Sequence, residues 1–228
     1  MPRTVWLRDQ GPPRKPRLSR ERIVSAAMDL LDAEGVDGFS MRRLAARLDA
    51  GTMSLYAYVE TREDVLDLAL HAAFAEIDRT PDDANAPWRE LLTRQLTRSR
   101  EVMRRHPWIP VLTATRPLLG PNALARSELF YAALARAGLS GAPLLAAVGA
   151  LSYYVSGFVA SENVWRATMR DSDDEKHLRR DAQAHIDERA DRYPALSAHA
   201  HLEFSDFDES FALGLNIVLD GIEAQLPR

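Results

Sequence analysis

Apolar residues recur every three to four positions along most of the chain, the spacing that lets an α-helix bury one face. In the first such segment they run from Ile23 to Leu31, after a candidate N-cap at Ser19 and before a break at Gly35. This pattern predicts a helix over about residues 20–34. No segment sustains the period-two alternation that is typical of strands, so we predict an all-α protein.

Three further helices are predicted close behind the first. Ser40 is a candidate N-cap for a short second helix, and a third helix of under two turns follows over about residues 53–58. Thr61 and Asp64 have the spacing of a capping box, with Asp in place of the usual Glu, and predict a longer fourth helix. This arrangement indicates a helix-turn-helix unit over residues 19–78.

A larger helical region follows over residues 88–228, after a linker of Pro, Asp and Asn at residues 79–87. Residues 170–203 are highly charged and predict an exposed helix and a loop. The other helices of this region are predicted over about residues 88–105, 107–114, 121–137, 143–169 and 207–225.

Charge is distributed unevenly along the chain. The net charge is −4 over 228 residues, but residues 1–62 hold eleven basic and eight acidic groups, so the remainder carries −7. Residues 1–18 contain four prolines and five basic residues without a helical period. They predict an extended or disordered arm that either grips DNA or touches nothing. A basic front on an acidic body is typical of a DNA-binding module joined to a second domain.

Enzyme and metal functions are not favoured by the sequence. The absence of cysteine excludes disulfides, thiol catalysis and Cys-ligated zinc. His177, His185, His199 and His201 lie among carboxylates and leave a metal-dependent enzyme open, but they lack the spacing of known zinc or di-iron motifs. We therefore expect no catalysis, no metal and no cofactor.

The location of the protein follows from its apolar segments. The first residues lack an apolar run of signal-peptide type, which favours a cytoplasmic protein. The apolar stretch from Leu144 to Ala160 is marginal for spanning a bilayer, and we interpret it as a buried helix without membrane contact.

The turn between the second and third helices carries the residue types that a DNA-reading unit needs. The run LAARL lets the second helix pack on the first, and the run DAGT permits a tight turn. Thr52, Met53 and Ser54 then begin the third helix, where short side chains can reach base edges.

The helical period limits which way the two tyrosines of the third helix can face. Leu55 and Val59 are four apart and are expected to point into the three-helix core. Tyr56 and Tyr58 are two apart, so on a helix they point about 200° apart and cannot share that face. At least one tyrosine is therefore expected to face outward, with partial burial as the alternative.

Residues 19–77 resemble the DNA-binding domain of the tetracycline-repressor (TetR) family of bacterial transcription regulators. The resemblance covers the run FSMRRLAARLDAGTMSLYAYVETREDVLDLAL, and its most specific part is SLYAYVETREDVL. It implies a homodimer that binds a palindromic DNA operator and usually acts as a repressor. A small-molecule effector then releases the dimer from the operator. The residues it assigns to DNA contact are Arg42, Thr52, Met53, Ser54, Tyr56, Tyr58 and Arg62.

The last predicted helix carries an apolar stripe that suits pairing with a second copy. With the apolar helix over residues 143–167, it would form a four-helix bundle across a two-fold axis. The runs YPALSA and FDESFALGLNIVLDGIEA also resemble a C-terminal domain of tetracycline-repressor type, which implies the same dimer. The predicted interface residues are Phe207, Phe211, Leu215, Val218 and Ile222.

The second region also holds most of the aromatic side chains, which either line an effector cavity or form an ordinary core. The run TRP at residues 115–117 is similar to the stretch that follows a metal-ligating histidine in tetracycline-binding members, but Leu112 stands in the place of that histidine. Leucine cannot coordinate magnesium, so we expect an organic effector held by apolar contacts. The predicted effector residues are Trp108, Leu112, Thr115, Arg116, Phe130, Tyr154, Phe158 and Asn163.

A helical binding module controlled by a protein partner is the other function left open. Such a module would have no need to keep Arg42, Tyr56 and Arg62 together. The sequence therefore favours a DNA-binding regulator.

Overall fold

The computed structural model describes residues 18–77, 86–169, 172–202 and 206–227. Helices and no strands occur in these ranges, which confirms the predicted all-α class. The predicted arm up to residue 17 and most of the predicted linker lie outside the described residues. The helices are α1 (Arg20–Gly38), α2 (Met41–Arg47), α3 (Thr52–Leu55), α4 (Arg62–Ala75), α5 (Trp88–Arg105), α6 (Ile109–Thr115), α7 (Pro121–Arg136), α8 (Gly141–Thr168), α9 (Ser172–Asp187), α10 (Pro194–His199) and α11 (Phe207–Glu223).

The chain divides into two compact units, Met1–Ala69 and Leu70–Arg228, and α4 contributes residues to both. The predicted helix over residues 53–58 is shorter in the structure, where α3 ends at Leu55 and turns follow it. The charged segment predicted as one helix and a loop contains two helices, α9 and α10.

Short polar side chains fix the helix starts in the first unit, as the sequence predicts. The hydroxyls of Ser19 and Ser40 each accept a hydrogen bond of 3.3 Å from the backbone N–H three residues later. Thr61 and Asp64 form the predicted reciprocal pair: the Asp64 N–H donates to Thr61 Oγ1 at 3.1 Å, and the Thr61 N–H donates to Asp64 Oδ2 at 3.0 Å. The Thr61 hydroxyl also donates to Asp64 Oδ1 at 2.8 Å, and this bond, followed by those from the backbone N–H groups of Thr61 and Glu60, holds the pKa of Asp64 below its usual range.

The core of the first unit is aliphatic. Gly35 has a φ of 69°, which interrupts the helical backbone of α1 where the sequence predicts a break. Leu55 and Val59 are both buried, as predicted from their spacing. Other aliphatic side chains buried in this unit are Ile23, Leu30, Leu31, Leu44, Val65 and Leu66.

A buried ion pair lies at the centre of the second unit. Arg100 of α5 donates from Nε and Nη2 to the two carboxylate oxygens of Glu162 of α8, at 2.8 and 2.9 Å, and Glu162 is 0% exposed. Arg104 and Arg166 also approach Glu162, at 3.4 and 3.0 Å. Asp208 of α11 pairs with Arg100 at 2.7 Å. The carboxylate of Glu162 therefore forms ion pairs with three guanidiniums, and the network joins α5, α8 and α11.

Opposing effects act on the pKa of Glu162. Burial alone raises it, but the hydrogen bonds and charges of the surrounding arginines outweigh burial and hold the pKa below its usual value of 4.5. Burial likewise lowers the pKa of Arg100, and its bonds to Glu162 and Asp208 outweigh that effect and raise it. Both groups are charged in the folded protein.

Helix α8 is less enclosed than the sequence suggests. Among the described residues it is the one helix long and apolar enough to cross a bilayer by length and composition. Only 28% of its most apolar window is buried, so the helix that the sequence predicts to be buried is only partly covered in the single chain. One stripe, Val148, Leu151, Val155, Val159 and Glu162, faces the interior, and the opposite side is exposed.

Removing the carboxylate of this ion pair is predicted to destabilise the second unit strongly. Glu162→Ala leaves Arg100 buried without its main partner, which costs about 3–5 kcal/mol of unfolding free energy, measured by urea denaturation at pH 7. Because folding lowers the pKa of Glu162, its contribution is present above pH 4.5 and is lost as the pH falls through the folded pKa. The wild-type protein and the variant should therefore converge in stability in acid.

The matched control is Glu90→Ala, which breaks the exposed pair between Glu90 and Arg94 on α5. This change should cost under about 0.5 kcal/mol. Equal losses in the two variants would show that the buried network does not organise the unit.

Candidate DNA-binding interface and effector cavity

Helices α2 and α3 form a packed pair joined by a tight turn. The N–H of Ala50 donates to the carbonyl of Ala45 at 3.0 Å and closes the turn. Asp49 has a φ of 49°, the left-handed region that short polar residues tolerate better than most. Gly51 then precedes α3 in an extended conformation. The run DAGT thus forms the predicted turn and determines where α3 begins.

The outer side of α3 is formed by the residues predicted to read DNA. Met53 is 80% exposed, Ser54 and Tyr56 are exposed, and Thr52 is half-buried. Burial of Leu55 holds the opposite side of α3 against the core. The structure therefore presents these four side chains outward, and their contact with DNA stays a prediction.

The two arginines that are predicted to contact DNA have different surroundings. Arg42 is exposed on α2. Arg62, at the start of α4, donates to the carbonyl of Val36 at 3.3 Å, lies 5.5 Å from the ring centre of Phe39 and pairs with Glu63 at 3.1 Å. Arg62 therefore holds the connection between α1 and α2, a role that the sequence does not reveal.

Tyr58 has a partner that the sequence reading did not consider. Its hydroxyl donates to the carbonyl of Leu18 at 2.9 Å, and the side chain is 40% exposed. Tyr58 is thus hydrogen-bonded to a residue that lies two positions before the start of α1.

Comparison with known proteins identifies this architecture. Residues 23–69 match the model of bacterial regulatory proteins of the tetR family, and residues 80–226 match the tetracyclin repressor-like C-terminal domain. The chain belongs to the TetR family. These regulators are not enzymes, in agreement with the expectation from the sequence.

Similar TetR-family proteins span nearly the whole chain. An HTH-type transcriptional regulator of Saccharopolyspora erythraea is 44% identical, over 98% of this chain and 92% of its own length. The HTH-type transcriptional repressor DrrR1 of Streptomyces coeruleorubidus is 34% identical, over 96% and 83%. The crystal structure of ActR from Streptomyces coelicolor in complex with actinorhodin superimposes with a TM-score of 0.77 at 28% identity, over 92% of this chain and 98% of ActR.

The eight predicted effector residues of this TetR-family chain do not line one cavity. Trp108, Leu112 and Phe130 are each 2% exposed and do not line either of the two cavities described below, so their assignment to an effector site stays a prediction. Thr115 bonds back to carbonyls of its own helix. An apolar or aromatic residue at helical spacing indicates burial, and burial alone does not distinguish a cavity wall from a packed core.

Tyr154 and Phe158 instead belong to an aromatic cluster between α8 and α11. The Tyr154 hydroxyl donates to the carbonyl of Phe211 at 2.8 Å, and burial raises its pKa. A Cβ at Gly214 would lie 2.5 Å from that hydroxyl, so glycine allows the close approach. The ring centres of Phe158 and Phe211 are 5.2 Å apart.

One cavity opens beside this cluster, between α8, α9 and α11. It has a volume of about 550 Å³, and Phe158 is the one predicted effector residue among its lining side chains. The sequence did not lead us to assign the other main lining residues to an effector site. They are Trp165, Leu178, Arg179, Ala182 and Phe207. The four-residue spacing of Leu178 and Ala182 within a charged helix was the available signal. We call this space the aromatic cavity.

Guanidinium groups pack against the aromatic rings that line this cavity. Arg179 lies 5.0 Å from the ring centre of Trp165, Arg166 lies 5.5 Å from that of Phe207, and Arg100 lies 5.4 Å from that of Phe158. The indole N–H of Trp165 donates to Glu175 at 2.9 Å. Cation–π contacts and this hydrogen bond fix the orientation of the rings.

A second cavity, of about 720 Å³, has a charged lining. Asn163, another predicted effector residue, lies in its wall and donates to the carbonyl of Met103 at 3.1 Å. Arg98, Arg104, Arg105 and Arg166 form much of the remaining wall, together with Glu76 and Glu101. This lining does not suit the apolar effector that the sequence predicts.

Arg126 of α7 is a half-buried residue with an enclosed guanidinium nitrogen, and the sequence analysis did not single it out. Its guanidinium lies 4.6 Å from the ring centre of Phe130, and its Nη1 is buried without a hydrogen-bond partner. Burial lowers its pKa to about 10, so the group is still charged at neutral pH.

The predicted dimer stripe on α11 faces the chain's own core. Phe211, Leu215 and Ile222 are buried, and Phe207 and Val218 are half-buried, so most of this stripe cannot contribute to a second copy. The exposed apolar residues of α11 are Leu213 and Ile217, at 57% and 71%. The stripe on α11 is real, but its assignment as an interface needs correction.

Proposed function

We propose that this TetR-family regulator binds a palindromic operator as a homodimer, represses transcription in the cytoplasm, and is released when a planar aromatic molecule occupies the aromatic cavity. The observation that carries the proposal is the outward presentation of Thr52, Met53 and Ser54 by a buried Leu55. These side chains lie at the start of the second helix of a helix-turn-helix pair, which is the end that enters the major groove.

Phosphate contacts and base contacts have different roles in this proposal. Arg42 and Tyr56 lie on the same helix pair as the base-reading residues and are assigned to the DNA backbone. Thr52 and Ser54 carry hydroxyls that can donate to or accept from base edges. Backbone contacts set affinity, whereas base contacts set sequence preference.

The proposed dimer uses the outer sides of α8 and α11. Tyr153 is 80% exposed, Val164 is exposed, and Gly157 between them opens onto free space. With Leu213 and Ile217 of α11, they form an apolar surface on two long helices. TetR-family proteins dimerise, and two such helix pairs would bury this surface in a four-helix bundle. Dimerisation also supplies the second reading head that a palindrome requires.

The effector class follows from the walls of the aromatic cavity. Phe158, Trp165 and Phe207 offer ring faces to a flat guest, and a volume of about 550 Å³ fits a molecule of drug size. ActR, a similar regulator, was solved with actinorhodin bound, which supports an organic effector for this architecture. The ligand would act by preferring one of two arrangements of the dimer.

Arg42→Ala is predicted to weaken DNA binding without changing the preferred sequence. The loss should be about five- to hundredfold, measured by fluorescence anisotropy with a duplex that the wild-type protein selects from a random library. Ser54→Ala should instead change which sequences are selected. Arg43→Ala is the matched control, because Arg43 pairs with Glu34 and donates to the carbonyl of Gly38 at 3.1 Å. Equal losses for Arg42 and Arg43 would contradict the assignment.

Ile217→Asp is predicted to dissociate the dimer. A carboxylate buried in an apolar bundle costs several kcal/mol for each copy, so sedimentation should show a monomer at micromolar concentration. Leu119→Asp introduces the same charge at a residue that is 70% exposed outside the proposed surface, and it should leave the dimer intact. A dimeric Ile217 variant would place the interface elsewhere.

Phe158→Ala is predicted to weaken effector binding by tenfold or more, because loss of one ring wall removes a large contact area. The ligand for this test is any planar aromatic compound, with actinorhodin screened first, that releases the protein from its selected duplex. Its binding should quench the fluorescence of Trp165, and Trp165→Phe should remove that signal, whereas Trp88→Phe should not. A releasing compound whose affinity is unchanged by Phe158→Ala would exclude this cavity.

A further inference from the structure

The second cavity of this unit gathers positive charge from two helices, and we call it the charged cavity. It has a volume of about 720 Å³. Three of its arginines, Arg98, Arg104 and Arg105, belong to α5, and the fourth, Arg166, belongs to α8. Val102 is the one apolar side chain of its wall. A wall of this composition suits a polar guest, in contrast to the aromatic cavity.

Two of these arginines are held side by side by a buried carboxylate. Arg104 Nε and Arg166 Nη2 contact the same oxygen, Oε1 of Glu162, at 3.4 and 3.0 Å. Glu162 is 0% exposed and is itself fixed by Arg100. Cations that are already in place when a guest arrives spare the complex the entropy of ordering them. The buried ion pair therefore preorganises part of the wall for an anion.

The internal contacts use only part of the donor capacity of these arginines. A guanidinium carries five N–H donors on three nitrogens. Within the described residues, Arg105 contacts Glu76 through Nη2, and Arg166 contacts Glu162 through Nε and Nη2. The side chains of Arg105 and Arg166 are 60% and 49% exposed, so a solute can reach the remaining donors.

Glu76 shows which kind of group the wall binds. Its carboxylate pairs with Arg105 at 3.0 Å and contacts His106 Nε2 at 3.2 Å, and its side chain is 32% exposed. An anionic oxygen group thus already lies on one guanidinium of the cavity. A guest that carries more negative charge than one carboxylate would compete with Glu76 for Arg105.

The acidic side chains of this region do not fully neutralise its cations. The cavity wall holds four arginines and two carboxylates, those of Glu76 and Glu101. With Arg100, Glu162 and Asp208 of the buried network, the group has five cations and four carboxylates, so it keeps one positive charge in a chain of net charge −4. An anion would supply the missing negative charge.

The size and chemistry of the charged cavity limit the class of guest. Its volume is typical of sites for organic molecules and exceeds what a single inorganic ion fills. Guanidiniums bind carboxylates and phosphates through paired hydrogen bonds. Asn163 in the same wall donates to the carbonyl of Met103 at 3.1 Å, and its amide has further capacity for a hydroxyl group.

We propose that the charged cavity is a second ligand site, which binds a small organic molecule with two or more anionic oxygen groups, a polycarboxylate or a phosphate ester. The anionic groups bridge Arg98 and Arg105 on α5 and the pair of Arg104 and Arg166 beside Glu162. The site is separate from the aromatic cavity and does not depend on the proposed function, because its occupation requires neither DNA nor an aromatic effector.

The first test is isothermal titration calorimetry of the full chain at neutral pH. Citrate and inorganic pyrophosphate are the multiply charged probes, acetate is the singly charged control, and NaCl keeps the ionic strength equal. At least one of the two probes should bind with one molecule per chain and a Kd below about 1 mM, and acetate should bind at least about tenfold more weakly. The tighter probe shows whether the guest is a carboxylate or a phosphate. The absence of binding by both probes would overturn the site.

The second test uses substitutions of opposite sign in the wall. Arg98→Gln and Arg105→Gln should each weaken binding of the tighter probe by about tenfold, the effect of losing charged hydrogen bonds. Glu101→Gln removes a negative charge from the wall and should tighten binding by about two- to fivefold. Unchanged affinity in all three variants would show that the probe binds elsewhere.

The matched controls lie on the same helix outside the cavity. Arg94→Gln and Glu90→Gln change the net charge of the chain by the same amounts at an exposed pair of α5. Both should leave the affinity for the probe unchanged. If these variants change the affinity as much as those in the wall, the effect is one of overall charge and the site is excluded. Equal urea denaturation of all variants shows that the differences do not come from misfolding.

Discussion

The buried carboxylate of Glu162 determines how the second unit is arranged. Helix α8 is apolar nearly all round, so hydrophobic burial alone gives it no preferred orientation about its axis. Glu162 is the one charged residue in residues 141–165, and it must face the guanidiniums of α5 to be tolerated in the interior. Since side chains two apart point about 200° apart on a helix, inward orientation of Glu162 turns residues 160 and 164 outward. The exposed apolar side of α8 is thus a consequence of one ion pair.

The same network determines the orientation of α11. Asp208 in its first turn pairs with Arg100, and the stripe that begins at Phe211 follows this contact into the core. Leu213 and Ile217 are left outside because they lie on the other side of the helix. The polar network therefore determines which apolar side chains of each long helix are buried and which are exposed.

What could be predicted from the sequence is mainly what local chemistry decides. Ser19, Ser40 and the pair of Thr61 and Asp64 cap helices through bonds within four residues, so their pattern is sufficient. The burial of Leu55 follows in the same way from helical period. For the first unit, the sequence therefore sufficed to predict the helix starts and which side chains of α3 face outward.

The interface and the cavity depend on tertiary contacts that no local pattern contains. An apolar stripe shows that Phe211 and Leu215 are covered, but it does not show whether α8 or a second copy covers them. The aromatic cavity is lined by residues of α8, α9 and α11. Its α9 wall could not be predicted, because the charge of that segment indicates an exposed helix. The hydrogen bond of Tyr58 to Leu18 joins residues 40 apart, so helical period could only narrow the direction of that ring.

The guanidiniums of α5 also connect the cavity to α4. Arg100 lies against Phe158 in the cavity wall, and at the end of the same helix Arg105 contacts Glu76 at 3.0 Å. His106, the next residue, contacts Glu76 at 3.2 Å. Glu76 directly follows α4, whose first half belongs to the unit that carries α3. Because α5 is one continuous helix, the buried Arg100 and the terminal contacts with Glu76 belong to the same rigid element. Within the second unit, the cavity wall and the end of α4 are therefore joined by contacts that begin at the buried ion pair.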